Sequence, residues 1–186
     1  MPPRVRITKE SIIETAVEIV REQGAQGINS RNLASVLKCS TQPIFSNFAT
    51  MEELKMAVVE KANTLCDEYI QKEVAKGEHP AYKASGMAYI RFAKEERELF
   101  KLLYMRDRTE ETYPAEFELS NQMESIVRET TGFDENDMKL FHLEMWAYVH
   151  GIASMCATGF VDLSWELISK MLTDAYRGLR KQYTKE

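Results

Sequence analysis

The chain has 186 residues and a formal net charge of −5, with 44% apolar and 28% charged side chains. That balance excludes a largely disordered chain, and the negative total excludes nonspecific nucleic-acid binding over the whole surface. Three widely spaced cysteines, Cys39, Cys66 and Cys156, exclude a disulfide framework and a zinc ribbon, and point to a reducing, cytoplasmic location.

Apolar spacing predicts helices almost throughout and no period-two strand. A first helix is expected over 9–23, capped by Thr8, stopped by Gly24 and carrying the stripe Ile12, Ile13, Ala16, Ile19, Val20. A short second helix starts at a Ser30 cap, with Leu33, Ala34 and Leu37 facing inward. After a turn over 38–40, a third helix is expected over 41–48, capped by Ser40 and with Pro43 in its first turn. Thr50 and Glu53 predict a capping box, with the Glu53 carboxylate returning to Thr50, at the head of a long helix ending near residue 76. The run Gly77-Glu78-His79-Pro80 is a break.

Further helices are expected over 81–94, 95–105, 115–130, 136–158 and 165–183. A loop over 109–114, a stop at Gly132 and a cap at Asp134 separate some of them. Residues 145–161 carry no formal charge but fall short of the ~20 residues of a membrane span, which predicts a buried core or interface helix. The expected fold class is all-α with about nine helices. Residues 1–50 form a three-helix head with a helix-turn-helix, and residues 51–186 form a C-terminal helical bundle, with helix 51–76 connecting the two.

The third helix is the natural major-groove reader, braced by the second. Its inner face holds Ile44 with Phe45 or Phe48. Its outer face offers Thr41, Gln42, Ser46 and Asn47 to base edges and phosphates, and the Gln42 amide can present a donor and an acceptor together to adenine. Arg4 and Arg6 precede the first helix on a short arm that can reach phosphates or a minor groove. Residues 1–48 hold six basic and four acidic residues, a net of +2, which leaves −7 on the remainder.

The run GINSRNLASVLKCSTQPIFSNF over 27–48, followed by Glu52-Glu53-Leu54, resembles the DNA-binding head of the tetracycline-repressor (TetR) family, whose pattern reads G-x-x-x-T-x-x-x-I-A-x-x-x-G-V-S-x-x-x-L-Y-x-H-F-x-x-K-E-x-L. Ala34, Ser40, Phe48, Glu52 and Leu54 match it, Leu33 and Ile44 are conservative replacements, and the spacing has no gap from Leu33 to Leu54. Phe45 replaces the usual Tyr and lacks its phosphate-bonding hydroxyl. Asn47 replaces the usual His, Lys38 stands where a turn Gly is common, and Met51 stands in the place of a phosphate-binding Lys. Trp146-Ala147-Tyr148-Val149-His150-Gly151 is similar to the W-x-x-x-H-G segment of the family's eighth helix.

The resemblance implies a sequence-specific DNA-binding transcriptional regulator, a repressor released by a small-molecule ligand, working as a homodimer on a palindromic double-stranded DNA operator. It implies DNA contacts from Arg4, Arg6, Ser30, Arg31, Ser40, Thr41, Gln42, Phe45, Ser46 and Asn47. It also implies a dimer face made by Trp146, His150, Gly151 and Ser154 with Leu167, Ile168, Met171, Leu172, Ala175 and Leu179 of the last helix. Phe92, Phe100, Tyr104, Phe117, Met123, Phe141, Met145 and Tyr148 are the candidates for a largely apolar effector pocket. No catalytic, metal or cofactor motif is present, so neither an enzyme, a cofactor nor a membrane partner is expected. The alternative is a helical protein-interaction or cofactor-carrier protein with a degenerate head.

Overall fold

The computed structural model describes residues 7–107 and 120–184. Arg4, Arg6, Phe117, the expected loop over 109–114 and the expected helix start at 115 lie outside them. The described residues hold nine α-helices, a 3-10 turn and no strand, and none of these helices is long and apolar enough to cross a membrane. The chain divides into two compact units, Met1–Cys66 with Glu96–Arg106 and Asp67–Glu95 with Asp107–Glu186.

The first unit begins with α1 (Lys9–Gln23), where Thr8 and Ser11 cap each other's backbone reciprocally. Gly24 ends α1 at φ +75, a conformation that costs a side chain but not glycine. The 3-10 turn Ala25–Gly27 then packs its backbone onto α1. A Cβ on Gly27 would stand 2.8 Å from the Ile19 side chain, so an alanine there would force a shift. Asn29, rather than Ser30, caps α2 (Ser30–Val36) by accepting from the Asn32 N–H; the boundary lies one residue earlier than the serine suggested.

α3 (Gln42–Asn47) is shorter than expected. Thr41 takes the cap position in place of Ser40, without a side-chain capping bond, and Pro43 lies in the first turn. In α4 (Met51–Ala75) the Glu53 N–H donates to the Thr50 hydroxyl as expected. The Glu53 carboxylate accepts from Ala49 N–H rather than Thr50, because the chain enters the helix one residue further back. The boundary between the units falls inside α4.

Ile12, Ala16 and Val20 of α1, Leu33, Ile44, Phe48 and Leu54 form the core of the first unit, together with Leu99 and Phe100 of α6 (Arg97–Tyr104). Arg21 of α1 clamps Glu96 through two hydrogen bonds of 2.8 and 2.7 Å. A partly exposed pair of this kind contributes about 1 kcal/mol or less, whereas burying one Leu or Phe contributes ~1.5–3 kcal/mol. Leu99 and Phe100 therefore hold α6 in place, and the ion pair sets its register.

The second unit contains α5 (Ala81–Glu95), α7 (Asn121–Thr131), α8 (Glu135–Ala157) and α9 (Trp165–Tyr183). α7 stops at Gly132, in the left-handed region at φ +68, and Asp134 caps α8 through the amides of Asn136 and Asp137. One apolar cluster joins Tyr82 of α5, Val127 of α7 and Met138, Phe141 and Met145 of α8. Met123, Phe133, Ala175, Tyr176 and Leu179 pack against it.

α5 and α8 run in the same direction, because two hydrogen-bonded pairs recur two turns apart on both: Tyr82 with His142 at 3.0 Å, and Tyr89 with His150 at 2.9 Å. Trp165, opening α9, lies under two cations of α5, with Arg91 Cζ at 4.4 Å and Lys94 Nζ at 5.2 Å from its ring centroid. Lys94 also bonds Asp162 and the Leu163 carbonyl, fastening the α8–α9 turn to α5.

Candidate nucleic-acid interface

α2 ends in a Schellman motif. Cys39 N–H donates to the Ala34 carbonyl at 2.9 Å and Lys38 N–H to the Ser35 carbonyl at 3.2 Å. The motif needs a left-handed residue at its centre, and that residue is Lys38, at φ +52. It is the one non-glycine with positive φ among the described residues. A side chain in that conformation costs ~1–2 kcal/mol. Lys38→Gly is therefore expected to stabilise the protein by about 1 kcal/mol, part of the relief being offset by the freer unfolded chain. The gain should appear as a rise of roughly 2–4 °C in the melting midpoint; an unchanged or lower midpoint would show that the turn carries no strain.

The Schellman turn aims α3 so that Ile44 and Phe48, one helical turn apart, are fully buried, while Gln42, Phe45 and Ser46 share the opposite, exposed face. The structure thus resolves the inner face in favour of Ile44 and Phe48. Phe45 lies outside, 48% exposed.

The polar groups on α3 are not equally available. The Ser46 hydroxyl donates to the Gln42 carbonyl at 2.9 Å, and the Asn47 amide donates to the Pro43 carbonyl at 2.8 Å. Both spend donors on their own helix. The Gln42 side chain makes no hydrogen bond among the described residues, so its donor and acceptor both remain open.

Beside α3, Arg31, Lys38 and Ser40 are exposed, and Ser30 and Thr41 are half-buried. Arg31 and Lys38 join no ion pair among the described residues. Two other cations of this unit are engaged, Arg21 with Glu96 and Lys9 with Glu53. Lys38 is an exposed basic residue beside α3 that the expected contact set does not include. Its place in the turn between two helices was the available signal.

Among the effector candidates, Met123, Phe141 and Met145 lie together in the apolar cluster of the second unit. Phe92 is buried with Tyr69 edge-on at 5.5 Å, and Tyr148 is partly exposed. Phe100 and Tyr104 belong to the first unit, where their rings lie 5.0 Å apart on α6. His142 is 7% exposed, and burial pulls its pKa down to about 4. Burial also lowers the pKa of His150, on which Trp146 stacks at 4.8 Å.

Of the expected dimer-face residues, Gly151 and Leu167 are exposed, and Trp146, His150, Ser154 and Met171 are half-buried. Ile168 and Leu172 are instead buried within their own chain, and Ala175 and Leu179 pack on the apolar cluster. Their stripe is the inner face of α9. The structure adds Leu140, Leu143 and Ala147 to the exposed face of α8. They share the spacing of Gly151 and Ser154, a pattern readable in the sequence. Phe160, in the turn after α8, is 78% exposed.

A family model described as "Tetracyclin repressor-like, C-terminal domain" matches residues 82–175. No curated protein matches the chain. Two solved structures from Rhodococcus sp. RHA1 share the fold. A protein of unknown function is 20% identical, with a TM-score of 0.73 and full coverage of both chains. A TetR-like transcriptional regulator is 14% identical, with a TM-score of 0.65 and coverage of 96% of this chain and 98% of that one.

Proposed function

From the premise that the chain belongs to the tetracycline-repressor-like family of transcriptional regulators, we propose that it is a sequence-specific DNA-binding repressor, acting as a homodimer and released by a small-molecule effector. The observation that carries this reading is the α3 face, where Gln42 is open for base contact on a helix anchored by Ile44 and Phe48 and flanked by Arg31 and Lys38, exposed and in no ion pair among the described residues. Phosphate contacts from the two cations position the helix, and the Gln42 amide reads a base edge.

Two such helices must meet successive major grooves of a palindrome, ~34–36 Å apart, which calls for a dimer. The exposed stripe Leu140, Leu143, Ala147 and Gly151 on α8, with Leu167 on α9, supports a second copy as its partner. In the second unit, Met123 and Met145 give the apolar cluster adaptable walls, suited to a largely apolar effector. To release DNA, that effector must bind the free conformation more tightly than the DNA-bound one.

Selection of bound duplexes from a random library tests the reading. A palindromic consensus is expected, with affinity falling steeply as salt rises. Lys38→Ala should lower affinity for the selected site and flatten the log–log salt slope by about 2, one phosphate per half-site. A folded protein that enriches no sequence would overturn the proposal.

A further inference from the structure

We propose that Phe45 is a specificity-determining residue that reads the C5-methyl group of a thymine in each operator half-site. The inference rests on the DNA-binding reading above and names the base that the site selects. On the exposed face of α3 the aromatic ring is the largest group. It stands between Gln42 and Ser46, 48% exposed, while Ile44 and Phe48 alone fix the helix to its core. About half of that large apolar ring is left in water on a short helix, surface that the free protein does not bury.

The neighbouring donors are committed inward, Ser46 to the Gln42 carbonyl and Asn47 to the Pro43 carbonyl. The face is therefore poor in hydrogen-bond donors and dominated by one ring and one open amide. The major-groove edge offers a single apolar feature, the thymine methyl, and an aromatic side chain is one of its ordinary partners. Having no hydroxyl, Phe45 cannot hold a phosphate oxygen, so its contribution to binding must come from burying its ring. Against the DNA edge, that burial favours thymine over every other base.

Deoxyuridine isolates the contact, because it removes only the methyl group and leaves the pairing edge intact. The duplex selected by the wild-type protein would be resynthesised with each thymine replaced in turn by deoxyuridine. Binding would be measured for the wild type, Phe45→Ala and Phe45→Leu. For the wild type, one symmetric thymine pair is expected to stand out, with affinity falling roughly fourfold per lost methyl and roughly 15-fold for the pair. Phe45→Ala should bind the thymine duplex more weakly and show no further loss on the deoxyuridine duplex, and Phe45→Leu should retain part of the discrimination. Circular dichroism of each variant checks that the fold is kept, and the wild-type arm needs no variant.

The proposal is overturned if the selected operator has no thymine within the α3 footprint, or if the wild type binds every deoxyuridine duplex as tightly as the parent. It is equally overturned if Phe45→Ala retains the methyl preference. Those results leave DNA recognition standing, whereas failure to select any duplex removes both readings.

Discussion

Replacing Gly151 by arginine is expected to convert the proposed dimer to a folded monomer and to cut operator affinity by roughly 10²–10⁴-fold, the advantage that linking two heads supplies. Gly151 lies inside the 23-residue helix α8, where a glycine costs about 1 kcal/mol relative to alanine. Among the described residues nothing explains that cost, because a Cβ at this position would meet no atom of theirs within 4 Å. A second helix approaching closely would explain it. Arginine improves helix propensity, so circular dichroism should be unchanged or show more helix, while a charge enters the centre of an apolar face. Sedimentation velocity and operator binding read the outcome together. A variant that remains a dimer with full affinity would move the interface elsewhere.

Acidification is expected to weaken the fold through His142. The buried imidazole has its pKa pulled down to about 4, whereas in the unfolded chain it titrates near its ordinary ~6.5. Between those values the unfolded state binds the extra proton, so stability rises with pH across the window. The contribution is fully present above about pH 6.5 and is lost as pH falls toward 4. At pH 5 the loss is about 2 kcal/mol, a factor of roughly 30 in the folding equilibrium.

Geometry accounts for the direction. His142 faces the Tyr82 hydroxyl at 3.0 Å and the Tyr82 ring at 5.8 Å, and burial raises the Tyr82 pKa, so the phenol stays neutral and supplies no charge to balance an imidazolium. Urea midpoints at pH 7.5 and pH 5 measure the effect. His142→Gln should be less stable at pH 7.5, yet lose about 2 kcal/mol less on acidification. Equal pH slopes in both proteins would show that the histidine is not the group responsible.

Local chemistry was legible along the chain. Thr8, Gly24, Gly132 and Asp134 each stand where their short-range bonding demands, and the element order follows from them. Asn29 and Ser30 were ambiguous because both side chains can cap, and only the extended backbone at Asn29 places its oxygen toward the Asn32 amide. α3 was readable in part: Ile44 stood out as its anchor, but Phe45 and Phe48 both fitted the inner face, and only the packing chooses Phe48.

α9 was less readable for a physical reason. An apolar stripe shows that a face is buried, but not whether its own chain or a copy covers it. Leu167 and Ile168 are neighbours of similar hydrophobicity, yet one is exposed and the other is at 0%. The effector candidates met the same limit. Phe100 and Phe141 look alike in sequence, but they fall in different units because α6 packs on α1.

The two tryptophans of the chain give it a built-in optical gauge. Trp165 lies under two cations of α5 in its own chain, so its emission provides a reference. Trp146 stacks on the His150 imidazole on the helix assigned to the dimer face, where a change in packing or protonation alters quenching of the indole. Unlabelled protein therefore carries a spectroscopic reporter of the proposed association, and DNA, which holds no tryptophan, adds no emission of that kind.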